Sequence, residues 1–292
     1  MGRLLTGGCM LVRFWGVRGS TPTPQAENLR YGGNTSCVEV RAGGGRYVFD
    51  CGTGFRGLGQ QLIQEANGQP LQAHIFVSHF HWDHIQGIPF FGPLYENPGY
   101  SFAFHASARN HSLERVMEQQ MSAPYFPVGV NEMKARREFF AIDEGRVRID
   151  DNVTVETKWL NHPQGCLGYR IESSEGVVVY ATDNEPGDTG FDQNVRALAA
   201  GADILIYDAQ YLPEQYEAKK RGWGHSHWRE AVNVAMESGA KELVLFHHDP
   251  DHSDTCIDNV VKEARNYYPG VRAAAEGMAM GLGGKFAGRV GQ

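Results

Sequence analysis

Short apolar, β-branched or aromatic runs alternate with amphipathic stretches along the chain, the pattern of an α/β protein. Leu11–Val17, Ser36–Ala42 and Arg46–Asp50 read as strands, with Gly43-Gly44-Gly45 supplying the turn between the last two. A helix is expected from about Phe55 to Glu65, followed by a buried strand at His74–Ser78. Arg109–Gln120 has helical spacing, and Val153–Leu160, Cys166–Glu172 and Gly176–Ala181 read as strands. A strand at Asp203–Tyr207, a helix from about Ser226 to Ser238 and a strand at Glu242–Phe246 come next. Ser253 can then cap a helix over Asp254–Tyr267. Pro89–Asn131, rich in Pro, Gly, Tyr and Phe, is open between a connection through the core and a loop facing a substrate. No linker, low-complexity segment or repeat interrupts the pattern, so residues 1–292 read as one domain, with residues 1–9 a disordered extension ahead of the first strand.

Composition narrows the class. With 41% hydrophobic and 21% charged residues the chain is that of an ordinary globular domain, and no stretch approaches 18 uninterrupted apolar residues, so no membrane span is expected. A net charge of −7 argues against a protein that holds long nucleic acid. Five scattered cysteines without a CxxC pair point to a reducing compartment, the cytoplasm, and to neither a disulfide framework nor a cysteine-rich zinc site.

The sharpest chemistry is His79-Phe80-His81-Trp82-Asp83-His84, directly after the apolar run Ile75-Phe76-Val77. In extended chain, residues i and i+2 point to the same side, so His79 and His81 can converge on one cation. Where the chain turns, Asp83 and His84 swing toward a second position. Imidazoles with a carboxylate suit zinc, iron or manganese, and burying this set without a metal would be costly.

These residues resemble the HxHxDH signature of the metallo-β-lactamase fold superfamily, and the later positions of that signature follow in order. His162 after the strand ending at Leu160 corresponds to the third histidine of a first metal. Asp183 corresponds to the aspartate bridging two metals, since its rivals Asp188 and Asp192 do not sit at a strand end. His247 corresponds to the last ligand of the second metal, with His248 expected to face away. Asp50 before Gly52 corresponds to an acidic residue that supports the site rather than touching metal. The resemblance implies a four-layer αββα sandwich and two divalent ions held by His79, His81, Asp83, His84, His162, Asp183 and His247. Zinc is the first expectation, with manganese or iron as alternatives, and hydrolysis is the implied reaction.

The segments Ile204–Gln210 and Gly224–Trp228 resemble two segments of ribonuclease Z and related phosphodiesterases, in which an acidic residue orients a histidine beside the metals. Carried over by position, Asp208 would hold His225, which would protonate the leaving oxygen, with Asp83 also in the catalytic set. The sequence departs from that family in having aspartate at 208, where glutamate is usual, and histidine at 227, where threonine is usual. Ribonuclease Z commonly inserts a basic arm for tRNA between the third histidine and the bridging aspartate, yet here only residues 163–182 lie between them, filled by two short strands. A small phosphodiester such as a cyclic nucleotide is the expected substrate, with no long nucleic acid or membrane as partner. A homodimer is left open by the resemblance. The other open readings are a lactonase or thioesterase, which would not need His225, and a sensor that binds metal or nucleotide without turnover. Arg18, Asn34 and Trp82 are candidates for contact with phosphate or base. His74, His105 and His111 read as strand and surface histidines, Asp249–Asp254 as a helix-capping turn, and Phe90, Phe91, Phe102 and Phe104 as core.

Overall fold

The computed structural model describes residues 9–109 and 111–282, and fourteen strands form two mixed sheets. The chain enters through β1 (Leu11–Gly16), β2 (Cys37–Ala42) and β3 (Gly45–Phe49). Gly43 and Gly44, at φ +57° and +86°, make the two-residue turn that joins β2 to β3, a conformation that favours glycine. β4 (Gln72–Val77), β5 (Ser101–Ser107) and β6 (Arg136–Ile142) then add in parallel. The second sheet begins with the antiparallel meander β7 (Gly145–Arg148), β8 (Thr154–Leu160), β9 (Cys166–Ser173) and β10 (Gly176–Ala181). It continues in parallel through β11 (Ile204–Asp208), β12 (Glu242–Phe246) and β13 (Val271–Ala273), while β14 (Ala279–Gly281) returns to pair with β1.

The sheets face each other over a shared apolar layer. Val12, Phe14, Val38 and Phe49 from the first meet Tyr169, Tyr180, Ile206 and Phe246 from the second. Helices cover the outer faces. On the first sheet lie α1 (Gly54–Ala66), the short turns α2 (Trp82–Ile85) and α3 (Pro93–Glu96), and α4 (Leu113–Gln120). On the second lie α5 (Thr189–Ala199), the single turn α6 (Pro213–Gln215), α7 (Trp228–Ser238) and α8 (Asp254–Ala264). α1 forms because Phe55, Leu58 and Leu62 recur on one face and are buried. α7 stops where Gly239 takes up a left-handed conformation at φ +67°. The expected αββα layering is therefore the architecture observed.

Several expectations need correction. Pro89–Asn131, open in the sequence between a core connection and a loop facing a substrate, is a connection through the core. It contributes β5 to the sheet interior and α4 to its cover, and its remaining turns line a cavity. The helix expected from Arg109 starts only at Leu113, after Ser112 accepts a hydrogen bond from the Arg115 N–H. Phe91, Phe102 and Phe104 are core, but Phe90 is 55% exposed because it stands on that cavity's rim. The proposed extension over residues 1–9 lies outside the described residues except for Cys9, whose thiol donates to the Leu282 carbonyl at 2.6 Å. Among the described residues no helix is long and apolar enough to cross a membrane.

His74 and His105 behave as structural strand residues. Their rings meet at 3.1 Å between Nδ1 and Nε2, and His105 is stacked against Phe76 and Phe140. Burial, aided by His74, pushes the His105 imidazole down to about 4. The unfolded chain, with an ordinary histidine near 6.5, therefore binds the proton more readily than the folded one. Stability from this residue is complete above the unfolded value and is lost as pH falls through the folded one. Urea unfolding is expected to show His105→Gln losing about 2–3 kcal/mol less than the parent between about pH 7 and pH 4.5, whereas equal losses would contradict this assignment.

Candidate metal centre

Every element that feeds the site ends at the same edge of the sandwich. β4 delivers His79, His81, Asp83 and His84, β8 delivers His162, β10 delivers Asp183, β11 ends at Asp208, and β12 delivers His247. The parallel register Ala181–Tyr207–Leu245 keeps the last three at one level. Three of the acting residues leave their strands in the left-handed region: Asp50 at φ +61°, Asp183 at +56° and His247 at +61°. Each such non-glycine conformation costs roughly 1–3 kcal/mol, so the surrounding contacts must hold it in place.

The ligand atoms fall into sets around Asp183. His79, His81 and His162 converge, with His81 Nδ1 and His162 Nε2 3.1 Å apart. His79 Nε2 and His162 Nε2 lie 3.7 and 3.6 Å from Asp183 Oδ2. On the other side, His84 Nε2 and His247 Nε2 lie 3.3 and 3.4 Å from Asp183 Oδ1, and 3.3 and 3.2 Å from Asp83 Oδ2. One carboxylate thus presents one oxygen to each set.

The outer nitrogens of the five imidazoles are each paired with oxygen. His84 Nδ1 donates to Asp50 Oδ2 at 2.7 Å, His162 Nδ1 to the Gly224 carbonyl at 2.8 Å, and His247 Nδ1 to Gln210 Oε1 at 3.0 Å. His81 Nε2 donates to Gln164 Oε1 at 3.0 Å and His79 Nδ1 to Ser78 Oγ at 3.0 Å, the Ser78 hydroxyl in turn donating to Asp50. Such bonds set the tautomer and leave the inner nitrogen with its lone pair free. The inner His79 Nε2 is buried with no hydrogen-bond partner, as expected of an atom reserved for a cation. Burial pushes His79 well below its ordinary pKa and His162 down to about 4, so both are neutral at pH 7, as a metal ligand must be. Burial alone would raise the Asp183 carboxyl, but the imidazoles of His247 and His84 outweigh it and hold Asp183 well below the usual carboxylate range.

Asp208 and His225 form a pair beside these sets. Asp208 Oδ2 accepts from His225 Nδ1 at 2.9 Å and from the Asp183 N–H at 3.0 Å, while Oδ1 accepts from the N–H groups of Gln210 and Ser226. His225 stacks on His247 with ring centroids 5.0 Å apart. His227 caps α7 by accepting from the Glu230 N–H.

The remaining sequence candidates divide. Asp50 lies behind the ligands, as expected, accepting from Ser78, His84 and Tyr180. Asp188 caps α5 and takes no part in the site. His248 points away and donates to the Ala274 carbonyl. Arg18 and Asn34 are corrections. Arg18 is fully buried and spends its donors on the carbonyls of Gly32, Asp249, His252 and Asn28, while Asn34 donates to Glu276. Trp82 is 80% exposed and lines a cavity of about 1320 Å³ that opens beside His79 and His81. Gln164, Gln210 and the Ser20 N–H, which donates to Asp83 Oδ2 at 2.7 Å, went unpredicted. Only Gln210 carries a sequence signal, since it lies two residues beyond Asp208 in extended chain. Gly19 leaves room for the site, because a Cβ there would stand 2.5 Å from His247 Nδ1.

Since no other side chain reproduces the guanidinium fork, Arg18→Lys is expected to lower the unfolding free energy by about 2–4 kcal/mol in urea titrations. An unchanged midpoint would contradict the role given to Arg18.

Comparison with known proteins agrees with this geometry. A family profile described as "Beta-lactamase superfamily domain" matches residues 45–248, more than half of the chain. A ribonuclease Z from Haloarcula marismortui is 27% identical, with 91% of this chain and 94% of that protein aligned. Among solved structures, the metallo-β-lactamase fold protein YhfI from Bacillus subtilis superposes with TM-score 0.71 at 21% identity, covering 94% of this chain and 100% of that one. The short form of human tRNase Z gives 0.62 at 20% identity, covering 93% and 99%. At these identities the structural likeness speaks for the fold alone. Family profile, strand-end histidines and sandwich agree: the chain belongs to the beta-lactamase superfamily, as a metal-dependent hydrolase with the metallo-β-lactamase fold.

Proposed function

We propose that the chain is a two-ion phosphodiesterase acting on small phosphodiesters, cyclic nucleotides among them. The observation that carries this reading is the pairing of a shared Asp183, one oxygen toward each ligand set, with a His225 held by Asp208 at its side. His79, His81 and His162 would hold one divalent ion and Asp83, His84 and His247 the other, with Asp183 common to both. When bound, such ions supply Lewis acidity and lower the pKa of water toward neutrality. The nitrogen-rich donor set favours zinc, with manganese or iron as alternatives.

The protein's own groups account for the rest of the chemistry. Because Asp208 accepts from Nδ1, the His225 nitrogen left to face a substrate and carry a proton to it is Nε2. An alkoxide leaving a phosphodiester needs that proton, whereas the thiolate leaving a thioester has less use for it. Ser20 N–H fixes Asp83, and Gln210 fixes His247, so the ligand shell is set before substrate arrives. The choice of a small substrate over RNA is supported by the charge of −7 and by β9 and β10 taking up most of residues 163–182, where an arm would have to emerge. Five free cysteines, three of them buried, fit a cytoplasmic location.

Bis(p-nitrophenyl) phosphate should be hydrolysed by protein loaded with zinc or manganese. On a cyclic nucleotide, whose leaving alkoxide needs a proton, His225→Ala should lower kcat about 10²–10⁴-fold at unchanged metal content measured by elemental analysis. Retention of activity in His225→Ala, with lactones or thioesters turned over instead, would contradict the reading, as would metal-loaded protein that binds nucleotide without turnover.

A further inference from the structure

The cavity beside His79 and His81 is far larger than a phosphate requires. At about 1320 Å³ it exceeds the roughly 300–1,000 Å³ of ordinary small-ligand sites. Its rim leaves three aromatic rings in water: Trp82 at 80%, Phe90 at 55% and Tyr125 at 83% exposure. They come from separate segments, the turn after β4 and the loop after α4, and Phe126 closes the gap by standing edge-on to Phe90 at 5.6 Å. Trp159 also lines the cavity, with the Arg109 guanidinium 4.5 Å above its ring. Gln86, Gln119, Gln120 and Gln164 add amide groups, and no carboxylate side chain is among the described lining residues.

We propose that this cavity takes a planar, uncharged, hydrogen-bonding ring system, of which a nucleobase is the type, carried by one of the two groups esterified to the phosphate. For its phosphate the proposal rests on the phosphodiesterase reading; for the ring it rests on the cavity alone. Aromatic faces hold a planar ring by stacking whatever its substituents, and amides meet the donors and acceptors at its edge. An aliphatic chain would use the aromatic faces but not the amide groups, of which Gln86, Gln120 and Gln164 already meet Thr35, the Ile85 carbonyl and His81 through one atom. A lining with one guanidinium and no carboxylate suits a ring attached to an anion and disfavours a cationic group.

The position of the cavity assigns the ring to one ester group. His79 and His81 lie on its wall, whereas Asp208 and His225 do not. The ring therefore belongs to the group that stays on phosphorus, and the departing alcohol lies toward His225. In hydrolysis the oxygen of water forms the new P–O bond, the P–O bond to the departing alcohol breaks, and that alcohol leaves with the proton from His225. The proton released by water restores the histidine. The products are the ring-bearing phosphomonoester and a free alcohol, or, from a cyclic nucleotide, one nucleoside monophosphate that carries the freed hydroxyl itself.

Two esters with the same leaving group test this: thymidine 5′-(p-nitrophenyl phosphate) and methyl p-nitrophenyl phosphate. The nucleoside ester is expected to have a KM at least about tenfold lower, and Phe90→Ala and Tyr125→Ala should each erase most of that ratio. Calorimetry on the same proteins should show thymidine 5′-monophosphate binding more tightly than methyl phosphate, with the difference reduced in both variants. Equal KM values for the two esters, or variants that raise both KM values alike, would overturn the proposal. So would octyl phosphate binding more tightly than thymidine 5′-monophosphate, which would assign the cavity to an alkyl chain. If neither ester is hydrolysed, the phosphodiesterase reading fails. The ring site then stands if thymidine 5′-monophosphate still binds and the variants weaken it, and falls if it does not bind.

Discussion

Asp50, Asp83, Asp183 and Asp208 lie together at one end of the sandwich, all buried, and a buried carboxylate costs several kcal/mol unless its charge is met. Their partners are imidazoles, hydroxyls and backbone N–H groups. Against the effect of burial, Asp183 and Asp83 raise the His84 and His247 imidazoles above their ordinary pKa, and divalent cations at the same points would supply that positive charge in place of the protons. The surrounding organisation follows from that need. The imidazoles turn their inner nitrogens to the same points as the carboxylates, and their outer nitrogens donate to Gln164, Gln210, Gly224, Ser78 and Asp50.

The fold meets this demand by ending its strands at one edge. A strand that ran on past Phe49, Thr182 or Phe246 would carry the next side chain along the sheet; the left-handed turn at Asp50, Asp183 and His247 redirects it into the site. Such turns persist only where the neighbours over-determine them. Asp208 supplies part of that, since its carboxylate holds both the Asp183 N–H and the His225 ring. The residue that orients His225 is thus also the residue that sets the backbone of Asp183. Arg18 does comparable work farther out, bracing the loop after β1 through the Gly32 and Asn28 carbonyls and tying it to the loop after β12 through those of Asp249 and His252.

Much of this was legible in the sequence, for physical reasons that also mark the boundary of legibility. His79, His81, Asp83 and His84 could be read because a two-residue period converges side chains in extended chain, and His162, Asp183 and His247 because each follows an apolar run in the order of a known signature. β6 and β7 were illegible because they are edge strands whose exposed faces carry no apolar alternation. β5 was hidden in a Pro-, Gly- and Phe-rich stretch that reads equally as loop. Arg18 and Asn34 were misread because an arginine or asparagine near glycine turns looks the same from sequence whether its donors meet a phosphate, backbone carbonyls or a carboxylate. Phe90 was taken for core because apolarity alone does not tell a ring that fills the interior from one that lines a cavity.

The account depends most on Asp183 serving two cations at once. Anomalous diffraction from crystals of zinc-loaded protein tests that directly. Two peaks are expected, one among His79, His81 and His162 and one among Asp83, His84 and His247, with Asp183 beside both. A single peak at full zinc loading, or ions held away from Asp183, would contradict it.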